Sequence, residues 1–359
     1  MDKNTIQLFL LSISNILAIV SIPYVFDQIS FKKILRNPII IFYAGYLLIS
    51  ILSMFVSLNI VESSVRFFQL VTFFLSLCIL VFLANEKSIN IKYVLWIILF
   101  TLIIDLAFSY YMFFDIQSKT NYKYDYNYLL VGLHGNRNIL SAAILFRIPL
   151  VILLTIYYKN KYLKQLIFLI VGMAFFDIFL LSSRMALLSI ILCILFIVII
   201  SLYNLYTKKY NLFSFNKSLI LFYIGPCIIA YFLSTAIIDS SDQADVSNRI
   251  ASIASTNDAS KNTRLRYYSH LIDHIIKNPI LGSGLGTWKI YSIKYDKEAI
   301  NNYIIPYNAH NDILEVSAET GLIGGSFFIG FFGFIFWLLY KNLRFYHKNP
   351  DDYLFWILM

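Results

Sequence analysis

The sequence predicts an integral membrane protein built entirely from helices, and three observations support this fold class. Hydrophobic residues make up 59% of the 359-residue chain, charged residues make up only 14%, and the mean hydropathy is +0.71. Soluble domains carry about 25% charged residues, so a water-soluble fold of this length could not bury so much apolar surface. We therefore expect a polytopic helix bundle.

Apolar runs of roughly 20 residues, the length that spans a bilayer, recur nine times. They lie near 5–26, 38–58, 64–84, 93–114, 138–158, 163–183, 185–206, 218–238 and 318–340. The first run lacks a basic start and a clear small-residue cleavage site, so we interpret it as a retained helix. A further apolar run starts at Tyr353 and stops at Met359, far too short to span. We expect a chain that lacks helices at its ends.

The links between the runs differ in charge, and this difference predicts an orientation. Basic residues gather in one set of links: Lys32, Lys33 and Arg36; Lys87 and Lys92; Lys159, Lys161 and Lys164; Lys208, Lys209 and Lys217; Lys341, Arg344 and Lys348. By the positive-inside rule these links are cytoplasmic. The sequence thus predicts eight helices in residues 1–238, a large outer loop over 239–317, a ninth helix over 318–340, and a cytoplasmic link with the start of a truncated helix over 341–359.

The net charge of +9 does not indicate nucleic-acid binding, because the chain has no basic helix and no stacking platform. Cys78, Cys193 and Cys227 lie inside apolar runs without metal-site or disulfide spacing, so we interpret them as packing residues. These features leave a membrane-embedded function as the class to consider.

The outer loop has the clearest local patterns. After a polar opening over 239–262, Arg264 to Ile276 places apolar residues at helical spacing and predicts an amphipathic helix, which Asn278-Pro279 ends. Gly282, Gly284 and Gly286 predict a tight loop close to the membrane. A second helical segment starts near Asn311 and leads into the ninth span.

Several charged residues lie within or beside apolar runs. Arg184 joins two runs on the predicted outer side, where it is either a turn residue that reaches the headgroups or a fixed cation facing a polar cavity. Arg147 is either a paired structural charge or a cavity residue, with Asp105 and Asp177 as natural counter-ions. The segment with Asn136, Arg137 and Asn138 is either a polar helix cap or the lining of an anion site.

Residues of the outer loop supply the remaining candidates. Arg264 and Arg266 are predicted at the start of a helix, where cations are unfavourable unless a phosphate lies close. His310 is the best general base in the chain, although a structural role for it remains open. His270 and His274 have a spacing that suits a metal, but no third ligand accompanies them.

In combination, these motifs resemble the signature of the O-antigen ligase and polymerase family. The elements are Gly132-x-x-Gly135-Asn136-x-Asn138, Ser183-Arg184-x-Ala186, Arg264-x-x-x-Tyr268, Asn278-Pro279-Ile280-Leu281-Gly282-x-Gly284-x-Gly286, Ala309-His310-Asn311 and Glu319-x-Gly321-Leu322-Ile323-Gly324. They cover roughly residues 130–335, and their order agrees with that of the family. The first four helices match by hydropathy alone.

The resemblance implies a glycosyltransferase-C-like membrane bundle in the inner membrane, with a periplasmic loop capping the site. It implies an undecaprenyl-pyrophosphate-linked glycan as donor, lipid A core or another glycan as acceptor, and no metal or other cofactor. It also implies His310 as the base and Arg184, Arg264, Arg266 and Arg137 as pyrophosphate ligands. Asn136, Asn138, Asn311 and Glu319 would support them.

Two alternatives stay open from the sequence. Within the family, ligation to lipid A core is favoured over repeat-unit polymerisation and protein glycosylation, because the His310-Asn311 element followed by Glu319 and Gly321 resembles ligases. From another class, a transporter or flippase of lipid-linked glycan would suit the intramembrane charges Arg147, Asp105 and Asp177. Against a transporter, the hydropathy shows no internal repeat.

Overall fold

The structure, a computed structural model, describes residues 3–25, 34–85, 90–120, 129–207, 220–237, 259–297 and 307–343. Within these ranges the secondary structure is helical, with no strand. The helices are α1 (Lys3–Val25), α2 (Pro38–Met54), α3 (Ile60–Asn85), α4 (Ile91–Thr120), α5 (Arg137–Tyr157), α6 (Lys161–Leu181), α7 (Arg184–Thr207), α8 (Gly225–Ile237), α9 (Ala259–Lys277), α10 (Trp288–Tyr295) and α11 (Asp312–Leu343). A 3-10 turn (Gly132–His134) precedes α5, and a π-helical turn (Ile220–Ile224) precedes α8.

Six helices in the described ranges are long and apolar enough to cross a membrane: Ile6–Pro23, Ile60–Leu83, Ile91–Lys119, Arg137–Tyr157, Lys161–Leu181 and Asp312–Leu338. Shorter apolar helices occupy three more of the predicted spans, at Pro38–Met54, Arg184–Ile199 and Ile220–Ala236. The predicted all-helical fold with several helices able to cross a membrane is confirmed for the described residues, whereas the count of nine spans and the periplasmic cap stay predictions. The truncated helix expected from Tyr353, and the polar stretch 239–258, lie outside the described residues.

The chain divides into two compact units, and we describe each by itself. Unit 1 comprises Met1–Ile89 and Asn257–Met359, and unit 2 comprises Asn90–Thr256. Unit 1 therefore joins the first three helices to the last three, and unit 2 consists of the central helices α4 to α8.

In unit 1, helices α2 and α11 pack through phenylalanine rings that lie against glycines. A Cβ atom on Gly45 of α2 would collide with the ring of Phe327, and one on Gly330 of α11 would collide with Phe42. Tyr43 adds an edge-on ring contact to α11. Helices in lipid gain little from apolar burial, so close approach at small residues contributes to their association. α9 and α10 pack on the first turns of α11 through a small apolar core: Leu271, Ile275, Trp288, Ala309 and Ala318.

In unit 2, α6 lies at the centre and contacts α4, α5, α7 and α8. Half of the residues in the apolar spans of α5 and α6 are buried, compared with 28% for α4. α5 and α6 therefore form the interior of the unit. Asparagine caps start both helices: Asn136 accepts the amide of Asn138, and Asn160 accepts the amide of Tyr162 at 2.9 Å.

Candidate functional site

The glycine-rich stretch after α9 crosses helix α11 at a kink. α11 departs from helical geometry at Gly321, whose φ is 74° and ψ is 177°. A kink frees main-chain groups that a regular helix would pair, and the crossing loop pairs them. Three hydrogen bonds join the two segments: Ser283 N–H to Ala318 C=O at 3.1 Å, Gly284 N–H to Glu319 C=O at 3.0 Å, and Leu322 N–H to Pro279 C=O at 2.8 Å.

Glycine is required on both sides of this crossing. Gly282 and Gly321 have positive φ values, and a Cβ atom on either one would collide with main-chain atoms of the opposite segment. A main chain cannot move aside as a flexible side chain can, so a larger residue at either position would separate the two segments. The tight loop predicted from the sequence is thus the element that attaches the segment containing α9 and α10 to α11.

Glu319 fastens the end of this loop. Its side chain is buried, and its carboxylate accepts hydrogen bonds from the main-chain amides of Trp288, at 3.0 Å, and Gly286. Its own carbonyl accepts a hydrogen bond from the hydroxyl of Ser53 at 2.6 Å. All these contacts are internal to unit 1, so we interpret Glu319 as a residue that holds this loop in place.

His310 lies in a turn immediately before α11 and has a left-handed backbone, with φ of +59°, which is uncommon for a residue other than glycine. Asn311 caps α11 by accepting the amide of Leu314 at 3.2 Å. The carboxylate of Glu315 accepts the amide of Ala309 at 3.0 Å. The main chain is therefore held on both sides of His310, while its side chain is partly open to solvent.

Helix α9 contributes two further groups to this turn. The hydroxyl of Tyr268 donates a hydrogen bond to the carbonyl of His310 at 3.3 Å. Partial burial and the positive charge of Arg264 both lower the pKa of His310, while Asp312 acts in the opposite direction. The imidazole therefore stays neutral, and able to accept a proton, at a lower pH than an unperturbed histidine.

Arg266 has different surroundings from Arg264, although the two are close in sequence. Its guanidinium forms an ion pair with Asp296, with Nε 2.7 Å from Oδ1, and Nη2 donates a hydrogen bond to Oδ2 at 3.1 Å. Asp296 is almost fully buried at the end of α10. Because Arg266 is engaged with a buried carboxylate, Arg264 is the better placed of the two to act beside His310.

The predicted start of this helix was wrong. The sequence pattern begins at Arg264, whereas α9 begins at Ala259, so Arg264 lies in the second turn. The positive end of a helix dipole acts within the first turn, so the argument that a nearby phosphate offsets two cations at a helix start does not hold for this helix. The residues from Ala259 to Thr263 lack the apolar spacing of the rest of α9. The sequence pattern therefore begins several residues after the helix does.

His270 and His274 make contacts within unit 1. His270 Nε2 lies 3.5 Å from Asp296 Oδ1. His274 is buried, with Nδ1 3.2 Å from the Tyr295 hydroxyl, and burial together with the charge of Lys277 lowers its pKa. Among the residues that the structure describes, no group of three or more His, Cys, Asp or Glu side chains could hold a metal ion.

One further cation of unit 1 was not predicted from the sequence. Arg66, in the second turn of α3, is exposed and lies close enough to Glu315 and Glu319 to interact with both carboxylates. A signal for it was present, because Arg66 lies near the predicted outer end of an apolar run. The positive-inside rule gives no reason for an arginine there, and the same reasoning singled out Arg184.

In unit 2, the starts of α5 and α7 are joined by side chains. Asn136 accepts the amide of Asn138 at 2.8 Å, and the Ser183 hydroxyl donates to the Asn138 side-chain oxygen at 2.9 Å. Arg137 is the first residue of α5, and Arg184 is the first residue of α7. A single hydrogen bond between Asn138 and Ser183 therefore links two helix starts that each begin with arginine.

The intramembrane charges predicted from the sequence have partners in unit 2. Arg147 forms an ion pair with Asp105, which favours the paired, structural interpretation of Arg147. His134 Nε2 also lies 3.1 Å from Asp105. Asp177 accepts a hydrogen bond from Ser109 at 2.7 Å. Of the two expected counter-ions, Asp105 has that role.

A match to a known family tests the resemblance that the sequence motifs predicted. Residues 169–329 match the family model described as O-antigen ligase. The predicted family resemblance is confirmed. No curated protein and no solved structure matches the chain. The match indicates activity of the O-antigen ligase or polymerase type in a multi-pass membrane protein.

The matched segment contains Arg184, Arg264, His310 and Glu319, whereas the Asn136–Asn138 element precedes it. The predicted site residues form two groups in the structure. His310, Asn311, Arg264, Arg266 and Glu319 belong to unit 1, and Asn136, Arg137, Asn138 and Arg184 belong to unit 2. Their roles in catalysis stay predictions.

Proposed function

We propose that this chain transfers a glycan from an undecaprenyl-pyrophosphate donor to an acceptor hydroxyl at the periplasmic face of the inner membrane. Ligation of O-antigen to lipid A core is the favoured reaction, and no metal ion takes part. The turn at His310 is the observation that carries the proposal. It combines a histidine of lowered pKa, a main chain fixed on both sides and a neighbouring arginine.

The reaction is a single displacement. As the acceptor oxygen bonds to the anomeric carbon of the donor sugar, neutral His310 takes the proton from that hydroxyl. The bond between the anomeric carbon and the phosphate oxygen breaks, and the lipid pyrophosphate leaves with the electron pair. No covalent enzyme intermediate forms, so the configuration at the anomeric carbon inverts. Retention of configuration in the product would contradict this mechanism.

Arginines stabilise the negative charge that grows on the leaving group. Fixed cations in a site of low dielectric are effective at this task because they need no reorganisation during the reaction. Arg184 and Arg137 suit it, since each starts a helix, and helix starts favour anions. Arg264 and the exposed Arg66 are the corresponding cations of unit 1.

Gene deletion followed by a gel of surface glycolipids tests the proposal, with the donor pool measured in parallel. Loss of all long chains from the core, while the exported donor accumulates, supports the ligase. Core carrying single repeat units indicates a polymerase and overturns the ligase preference. A donor that fails to reach the periplasm indicates a transporter, and unchanged glycolipids refute all three.

A further inference from the structure

The segment that precedes α5 folds back along that helix. Leu130 is fully buried, and Gly132, with φ of +53°, lies against Leu140 in the first turn of α5. A Cβ atom on Gly132 would lie 2.8 Å from a Leu140 methyl carbon. His134 then contacts Asp105 of α4. Residues 130–134 therefore pack against helices of unit 2, whereas Gly135 is exposed.

Asp105 contacts both His134 and Arg147 through one oxygen atom. Its Oδ2 is the atom that pairs with Arg147, and the same Oδ2 lies 3.1 Å from His134 Nε2. Arg147 is ten residues into α5, about 15 Å along the helix axis from Arg137. His134 is three residues before Arg137. The shared carboxylate therefore ties the entry segment to the middle of the helix that it precedes.

The surroundings make this contact energetically important. The Asp105 side chain is 6% exposed, and those of His134 and Arg147 are 20% and 21% exposed. Ionisable groups in a membrane span are costly unless they are paired. Non-helical main chain at membrane depth is tolerated only where protein or trapped water surrounds it. Asp105 thus satisfies a cation of α5 and a side chain of the entry segment together.

We propose that His134, Asp105 and Arg147 form a positioning site that fixes residues 130–136 and thereby sets the place of Arg137. The entry segment leads directly into Asn136, whose side chain caps α5, and then to Asn138, whose side-chain oxygen accepts a hydrogen bond from Ser183. A fixed entry segment therefore keeps the start of α5 in register with the start of α7. The inference rests on the proposed function, in which Arg137 and Arg184 bind the donor pyrophosphate.

The test separates placement of the segment from glycan transfer. Cys78, Cys193 and Cys227 are replaced by alanine in the full-length protein, and Leu130→Cys is introduced as a buried reporter. The rate of labelling by a small maleimide in nanodiscs then reports release of the segment, whatever reaction the protein catalyses. His134→Ala removes the contact while leaving the Asp105–Arg147 pair, so the fold is retained. His134→Gln keeps an N–H donor near the Nε2 position.

We expect His134→Ala to raise the labelling rate about tenfold or more, since a hydrogen bond to a charged group is lost. His134→Gln should label at nearly the unaltered rate. Asp177→Asn is the matched control, because it alters a buried carboxylate that contacts Ser109 and not the entry segment, and it should leave the rate unchanged. Unaltered labelling in His134→Ala, or equal acceleration in His134→Gln, would overturn the proposal.

Transfer kinetics without the reporter cysteine supply the second readout. Loss of positioning should raise the KM for the donor about tenfold in His134→Ala, with a smaller change in kcat and recovery in His134→Gln. Faster labelling with an unchanged donor KM would show that the segment does not position Arg137. If the unaltered protein transfers no glycan, the proposed function fails, and the labelling arm still decides whether the three residues fix the segment.

Discussion

The first turns of three helices differ in charge between the two units. In unit 1, α11 begins with Asp312 and Glu315, which complement the positive end of the helix. In unit 2, α5 and α7 begin with Arg137 and Arg184 and have no acidic residue in the first turn. Unit 1 thus has an electrostatically satisfied helix start beside a histidine. In unit 2 an arginine stands at each of these two helix starts, the end of a helix that favours anions.

Under the proposed function, this difference predicts a distinct role for the residues of each unit. A proton acceptor needs a fixed backbone and a neutral ring, and unit 1 supplies both to His310 through internal contacts. A leaving-group site needs positive potential, and under the proposed function Arg137 and Arg184 at two helix starts of unit 2 are the candidates to supply it. The comparison predicts that substitutions in unit 1 act mainly on proton transfer and those in unit 2 mainly on donor binding and departure.

The largest effect is expected from His310. His310→Ala should lower transfer by about a hundredfold to ten-thousandfold, the range for removal of a general base. Folding should be retained, because the hydrogen bond from Tyr268 goes to the main-chain carbonyl of residue 310, which the substitution leaves in place. In vitro transfer to purified acceptor measures the loss, and elution on size-exclusion chromatography checks the fold. Full activity in a folded His310→Ala protein would show that His310 is not the general base.

The next largest effect is expected at Arg184. Arg184→Gln should reduce transfer about a hundredfold or more, since a fixed charge on the leaving group is lost. Arg184→Lys should recover part of the rate because it keeps the charge while losing the planar fork of donors. Arg266→Gln is the matched control: it breaks an ion pair with buried Asp296, so we expect a lower melting temperature and a smaller change in transfer. An equal loss of transfer in Arg184→Gln and Arg266→Gln would contradict the proposal that Arg184 rather than Arg266 stabilises the leaving group.

The membrane helices were predictable because apolar composition and length determine them almost alone. The loop of alternating glycines was also predictable, since few other contexts need glycine at such spacing. The kink at Gly321, which this loop crosses, was not predictable. It depends on main-chain hydrogen bonds to residues 35 to 43 positions earlier along the chain, and no local pattern encodes such pairing.

Among the site residues, type and order in the sequence led to His310, Arg184 and Arg264. The same reasoning treated Arg264 and Arg266 alike, because two neighbouring arginines differ only in what they contact after folding. Asp296, which pairs with Arg266, lies 30 residues away in an element that the sequence did not predict. Glu315 was given no role from the sequence, because its contact is with a main-chain amide.

Glu315 gives a smaller effect that sharpens the interpretation of unit 1. Glu315→Leu removes the acceptor for the Ala309 amide, so the left-handed backbone at His310 loses one of its supports. We expect kcat to fall about tenfold, with little change in the donor KM, because a positioned base works less often when its turn is mobile. Glu315→Gln keeps an acceptor oxygen and should retain most activity. A donor KM that rises while kcat stays constant would assign Glu315 to binding instead.

The smallest effect is a shift in pH dependence, and it tests the electrostatics of the turn directly. Burial and Arg264 lower the pKa of His310, so the acid limb of kcat/KM should lie below the ordinary histidine value of about 6.5. Arg264→Gln removes a charge that opposes protonation, so the limb should move to higher pH. It should stay below about 6.5, because burial is the larger cause and remains. Asp312→Asn removes the opposing influence and should move the limb to lower pH. Two shifts of opposite sign require His310 to be the titrating group, whereas a limb that moves the same way in both variants would assign the titration to another residue.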